Sequence, residues 1–138
     1  MFLTRECDYS LRTIRALADG EKKTVEEICL VELIPGQYAY KILKQLERAG
    51  FVQSIRGRYG GYRLAKPLDT ITIYDIVSVT SNNIVLNDCL KSHSSCLRNS
   101  EESPCDVHHE LARIQKLLID ELSRKTFSEI TTEFAEGL

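Results

Sequence analysis

Hydrophobic and polar positions along the 138 residues change period several times, and each change predicts an element. From Thr4 to Ala18 the apolar residues Leu11, Ile14, Leu17 and Ala18 recur at helical spacing, and Asp19-Gly20 supplies a stop. Thr24 followed by Glu27 is a capping-box pattern that opens a short second helix from Val25 to about Leu33. Pro35-Gly36 breaks it. A third helix follows through Tyr38, Ile42, Leu43, Leu46 and Ala49, with Gly50 at its C-terminal cap. The period then shortens to that of strands at 51–55 and 62–64, around the tip RGRYGG. Three helices followed by a hairpin with a basic tip is the winged helix-turn-helix order, and a fourth short helix is expected from Ile73 to about Val79.

Ser81 to Pro104 shows little periodicity, and a loop of that length is either functional or disordered. From Cys105 the helical period returns. Val107, Leu111, Ile114, Leu118 and Leu122 form an apolar stripe that needs a partner surface. Pairing with the same helix of a second chain is the economical answer, and packing on the first helix is the alternative. The chain therefore divides into a mainly α winged helix-turn-helix domain (1–80), a cysteine-bearing loop (81–104) and a dimerisation helix with a C-terminal tail (105–138).

Length and composition narrow the class. One ordinary domain fits, a large multidomain enzyme does not, and 43% apolar with 28% charged residues predicts a folded chain. No apolar run approaches the roughly 20 residues of a transmembrane helix, and MFLTRECDYSLR lacks a signal-peptide core. A soluble, cytoplasmic protein without a membrane partner is expected, and in that reducing compartment five cysteines point to metal or redox chemistry rather than disulfides.

The net charge of −2 hides an asymmetry: twelve Lys/Arg against eight Asp/Glu in residues 1–68, six against twelve in 69–138. Within 36–66, seven basic residues face the single acid Glu47. Local positive charge of this kind suits phosphate contact, although a solvated helix face with a charged loop would look the same. Gln37, Tyr40, Lys41 and Lys44 lie off the inward face of the third helix and are the candidate major-groove readers. Arg56 and Arg58 at the hairpin tip suit the adjacent minor groove.

The second constellation is C-x6-C-x8-C-x2-H, comprising Cys89, Cys96, Cys105 and His108. Three thiolates and an imidazole suit an iron–sulfur cluster or a tetrahedral metal site, with zinc second because no C-x2-C pair is present. Cys29 reads as a buried small hydrophobe, Cys7 as ambiguous, and His93 and His109 as solvated or satisfied side chains. Cys105 close to His108 and His109 could be an activated thiolate, but no oxyanion-hole loop or substrate pocket accompanies it, so no enzyme is expected.

The opening FLTRECDYSLRTIRALA, the helix YAYKILKQLERAGFV, the wing SIRGRYGGYRLAKP and the short helix TIYDIVSVTSN carry a resemblance over nearly the whole chain. The chain resembles the family of winged-helix iron–sulfur regulators that includes IscR, NsrR and RirA. The resemblance implies a homodimer on an inverted-repeat operator in double-stranded DNA, with repression the expected output. It maps DNA contacts to Pro35, Gln37, Tyr40 and Arg56. Pro35 replaces the usual hydroxyl residue and Tyr40 replaces other polar types, which implies a different operator. It also maps cluster thiolates to Cys89, Cys96 and Cys105, at spacings longer than the family's common ones. For the fourth ligand it offers Asp8 from the other subunit, with a 4Fe–4S cluster, or His108, with a 2Fe–2S cluster; Asp8 and 4Fe–4S are favoured. Iron supply, redox state or nitric oxide are the implied signals. Two rivals stay open: a cluster-free regulator of the same fold switched by thiol oxidation, zinc or a protein partner, and a protein-interaction module that regulates an enzyme.

Overall fold

The computed structural model describes residues 3–81, 84–94 and 96–136. α1 (Arg5–Ala16) starts where the hydroxyl of Thr4 accepts the amide of Cys7 at 3.2 Å, relieving one of the orphan donors of the first turn. It buries Ser10 and Thr13 beside Ile14, and both hydroxyls are satisfied by donating back to the carbonyls of Glu6 and Tyr9. α2 (Val25–Glu32) opens on the expected capping box: Thr24 N–H donates to Glu27 Oε2 at 2.7 Å and Glu27 N–H to the Thr24 hydroxyl at 3.2 Å.

α2 ends at Glu32, in line with the expected end at about Leu33, and Leu33 itself turns into the left-handed region (φ 55°, ψ 46°). A β-carbon makes that conformation cost about 1–2 kcal/mol. Two buried contacts lie on either side of it: the Glu32 carboxylate gripped by Arg15 (Nε–Oε1 2.9 Å) and Ile34 in the core. α3 (Gly36–Arg48) follows, with Ala39, Ile42, Leu43 and Leu46 fully buried on one face.

β1 (Val52–Ile55) and β2 (Gly61–Leu64) form the antiparallel hairpin, in register from Val52 opposite Leu64 to Ile55 opposite Gly61. The outer edge of β2 is paired as well. Tyr62 N–H donates to the Lys23 carbonyl at 2.8 Å, and Lys23 N–H returns the bond at 2.9 Å. A β-carbon at Gly61 would stand 2.5 Å from that Lys23 carbonyl oxygen, so the wing can dock on the segment before α2 only with glycine there.

After a 3-10 turn at Leu68–Thr70 come α4 (Ile73–Ser81), α5 (Asp106–Leu122) and α6 (Phe127–Glu136). α6 was read from sequence only as a tail. Its Phe127 is 5% exposed inside the main core, its amide donates to the Ile71 carbonyl at 2.7 Å, and Thr126 bridges to Thr72. The main core joins α1, α2, α3, α4, the base of β1 and Phe127. A smaller cluster of Cys7, Val77 and Ile84 receives Leu118 and Leu122 of α5. The C-terminal end of that stripe packs on the head, while Val107 and Ile114 of the stripe, and Leu117 beside it, stay exposed. Among the described residues no helix is long and apolar enough to cross a membrane.

Candidate nucleic-acid interface and thiol loop

Burial of one face of α3 decides what the other face offers. With Ala39, Ile42, Leu43 and Leu46 inward, Gln37, Tyr40, Lys41 and Lys44 all stand on the exposed side, as the periodicity predicts. Tyr40 is 54% exposed, and Tyr38 leans back to meet Tyr9 of α1 edge-on at 5.2 Å. The four candidates differ in their freedom. Lys44 makes no ion pair among the described residues, whereas the Nζ of Lys41 lies 2.5 Å from Glu6 Oε1 of α1.

The wing carries Arg56 and Arg58 into solvent beside this face. Gly57 at the bend has φ 116°, a conformation that favours glycine. Arg58 rests over the ring of Tyr59 at 5.8 Å, and Tyr59 is 77% exposed while its carbonyl accepts from Lys22 Nζ. Sequence reasoning missed Tyr59 and Lys22. An aromatic side chain between Arg58 and the glycine pair was a usable signal for the first. Nothing local could have found the second, because the contact spans 37 positions.

The thiol loop is held at a few points. A 3-10 turn at Asp88–Leu90 carries Cys89, the Leu86 amide donates to Gln115 Oε1 of α5 at 2.9 Å, and Cys105 sits at the N-cap of α5 with its amide on Asn99 Oδ1 at 2.9 Å. Cys89, Cys96 and Cys105 are free thiols, each partly exposed. Within one chain they are not gathered: among the described residues no three His, Cys, Asp or Glu side chains are placed to hold a metal ion.

The two candidate fourth ligands are in opposite states. Asp8 of α1 is already engaged by Arg12 (2.7 and 3.1 Å), which also donates to the Glu32 carbonyl at 3.2 Å, at the end of α2. His108, three residues after Cys105, has a buried Nδ1 with no hydrogen-bond partner. An orphaned ring nitrogen beside a free thiol fits a metal group, as do three thiols with a carboxylate or imidazole. His93 and His109 are exposed, as expected for solvated side chains.

The other cysteines are structural. Cys7 is fully buried between α1 and α4, with its sulfur 2.6 Å from the Ser81 hydroxyl and 3.1 Å from that of Thr80. Burial pushes its pKa up, but the contacts with Ser81, Thr4 and Thr80 outweigh that and leave it below the ordinary thiol value. Cys29 is half-buried against the main core, and there burial, helped by Glu26, raises the thiol pKa.

Comparison with known proteins adds a family and a fold. The model of Rrf2, an iron-dependent transcriptional regulator, matches residues 3–133. Protein aau3 of Rhizobium meliloti (strain 1021) is 36% identical over 94 residues, 67% of this chain and 61% of its own length, so the chain spans less than two thirds of that relative. An Aquifex aeolicus (strain VF5) protein designated an HTH-type transcriptional regulator is 32% identical over 124 residues, covering 88% of this chain and 85% of its own. Among solved structures, CymR (YrzC), the global cysteine regulator of B. subtilis, superposes with a TM-score of 0.77 at 24% identity, over 96% of this chain and 98% of that one. IscR of T. potens gives 0.75 at 21% identity, over 99% and 90%. At those identities the structures speak for the winged-helix fold alone.

Proposed function

The chain belongs to the Rrf2 family of transcriptional regulators, and on that premise we propose that it is a homodimeric repressor whose grip on an inverted-repeat operator is set by an iron–sulfur cluster. The observation that carries the reading is the one-sidedness of α3. Four apolar residues bury one face completely, and the opposite face presents Gln37, Tyr40, Lys41 and Lys44 next to a wing bearing Arg56 and Arg58. An amide can read a base edge with a donor and an acceptor together, and the cations neutralise phosphates on either side.

The exposed residues Val107, Ile114 and Leu117 of α5 support pairing with a second copy. Two reading heads on one dimer must match half-sites about 34–36 Å apart or a multiple of that, so a small rotation forfeits one half-site. Cys89, Cys96 and Cys105 would hold the cluster, with Asp8 of the partner subunit as the fourth ligand; when bound, it supplies a redox- and iron-sensitive link between the subunits. The chain's own residues do the rest. Arg12 joins Asp8 to the Glu32 carbonyl just before the turn into α3, so whatever claims the Asp8 carboxylate acts one residue from that turn. A ligand that distinguishes two dimer arrangements shifts their populations by its differential affinity.

One observation favours a second reading of the ligand set: the partnerless Nδ1 of His108 suits a 2Fe–2S cluster with His108 as the fourth ligand. A cluster-free thiol switch is supported by the three loop thiols, which one chain leaves ungathered.

A single experiment separates these. The protein is purified anaerobically, its visible spectrum, iron and sulfide are measured, and Asp8→Ala and His108→Ala are compared. Loss of colour in Asp8→Ala alone supports the lead reading, loss in His108→Ala alone the two-iron reading, and a colourless iron-free wild type the cluster-free switch. In parallel, binding to genomic fragments is titrated against salt. A log K slope near zero is incompatible with several phosphate contacts and would remove the DNA reading.

A further inference from the structure

Among the described residues, Lys41 alone of the outward residues of α3 is tied to another helix by an ion pair. Glu6 and Tyr9 stand one turn apart on α1, and Lys41 and Tyr38 one turn apart on α3. Glu6 meets Lys41 at 2.5 Å and Tyr9 meets Tyr38 at 5.2 Å, so the two contacts are successive rungs of one antiparallel seam. The Glu6 backbone is pinned beneath it by the buried Ser10 hydroxyl, which donates to the Glu6 carbonyl at 2.7 Å. The carboxylate is the more enclosed partner, its side chain 29% exposed against 57% for Lys41.

We propose that Glu6 is a positioning residue for DNA recognition, holding Lys41 against α1 so that Lys41 reaches a phosphate only by giving up Glu6. The inference rests on the reading of α3 as the DNA-facing helix. An exposed pair of this kind is weak, so a phosphate can exchange for the carboxylate. The consequence lies in the charge count. Non-specific affinity follows the number of cations delivered to the backbone, and Glu6 subtracts one from that number on every duplex alike. Base contacts from Gln37 and Tyr40 are untouched, so Glu6 sets the salt-dependent strength of the grip and leaves its sequence preference alone.

The test uses the full-length protein and a random-sequence duplex of about 30 base pairs, roughly three helical turns. Fluorescence anisotropy is followed across a salt series for wild type, Glu6→Gln, Lys41→Met and the double variant, each checked for wild-type helicity and melting. Glu6→Gln should bind about two- to fivefold more tightly at low salt. Its log K against log salt should steepen by about 0.9, the yield of one added phosphate contact. In the Lys41→Met background the same replacement should leave the slope unchanged. Equal slopes for wild type and Glu6→Gln, or the same steepening with and without Lys41, would overturn the inference while leaving the DNA reading in place. A wild-type slope near zero overturns both. Glu6→Ala guards against a private effect of glutamine and should reproduce the steeper slope.

Discussion

Ser54 of β1 donates both its amide and its hydroxyl to one oxygen of Glu47 in α3, at 3.2 and 2.6 Å. The wing is therefore pinned to α3 as well as to the segment before α2.

That pin carries a pH dependence. The Ser54 hydroxyl, then its amide, with Arg56 adding, hold the Glu47 carboxyl below its usual value of 4.5. A depressed folded pKa means the contact stabilises the wing above about pH 4.5 and is lost as pH falls through the folded value. The protection of the Ser54 amide, the slowing of its exchange relative to a free peptide at the same pH, should fall on acidification, and Glu47→Ala should lower that protection at pH 7. If Ser54 exchanges at the wild-type rate in Glu47→Ala, the pin is not what protects it.

Arg56 stands exposed at the start of the wing tip, where a guanidinium can enter a narrow minor groove. Replacing it with alanine should weaken operator binding by about 1–3 kcal/mol without moving the melting temperature. Gel-shift titration at fixed salt measures this, and wild-type affinity would count against the wing assignment.

Phe127 fastens α6 into the main core. Phe127→Ala should cost about 3–5 kcal/mol, since the cavity opens between the Ile71 strand-like segment and α1, where the backbone bridges resist collapse. Urea unfolding reads the loss directly. A change below about 1 kcal/mol would mean that α6 does not sit there in solution.

Ile114 lies midway along the uncovered side of α5, 41% exposed. Ile114→Arg should shift sedimentation equilibrium from dimer to monomer with the far-UV spectrum intact, because a buried unpaired charge at an interface costs several kcal/mol. An unchanged dimer would place the subunit contact elsewhere.

The parts of the molecule legible in the sequence are those whose physics is local. The Thr24/Glu27 box, the buried rows of α1 and α3 and the RGRYGG tip each declare themselves within a few residues. α6 did not, because ten residues with one dominant anchor, Phe127, give too weak a period to separate from a tail. The left-handed turn at Leu33 was equally hidden. A leucine there has no intrinsic preference for it, and the cause is tertiary, in Glu32 and Ile34. The outward set Gln37, Tyr40, Lys41 and Lys44 was readable from period alone, but the tether of Lys41 to a residue 35 positions away was not. Spacing likewise listed the three loop thiols without saying that one chain leaves them apart.

α5 is about 25 Å long, with Cys105 at its first cap and its last turns seated on the head. Since α6 doubles back to lodge Phe127 under the same head, the rod is grounded at one end, while its other end is tied to the thiol loop through Gln115 and Asn99. Such a beam converts displacement into rotation. A tug of an ångström at the sulfur end arrives at the fulcrum as a slight turn, with leverage set by helix length rather than by any wire of touching side chains.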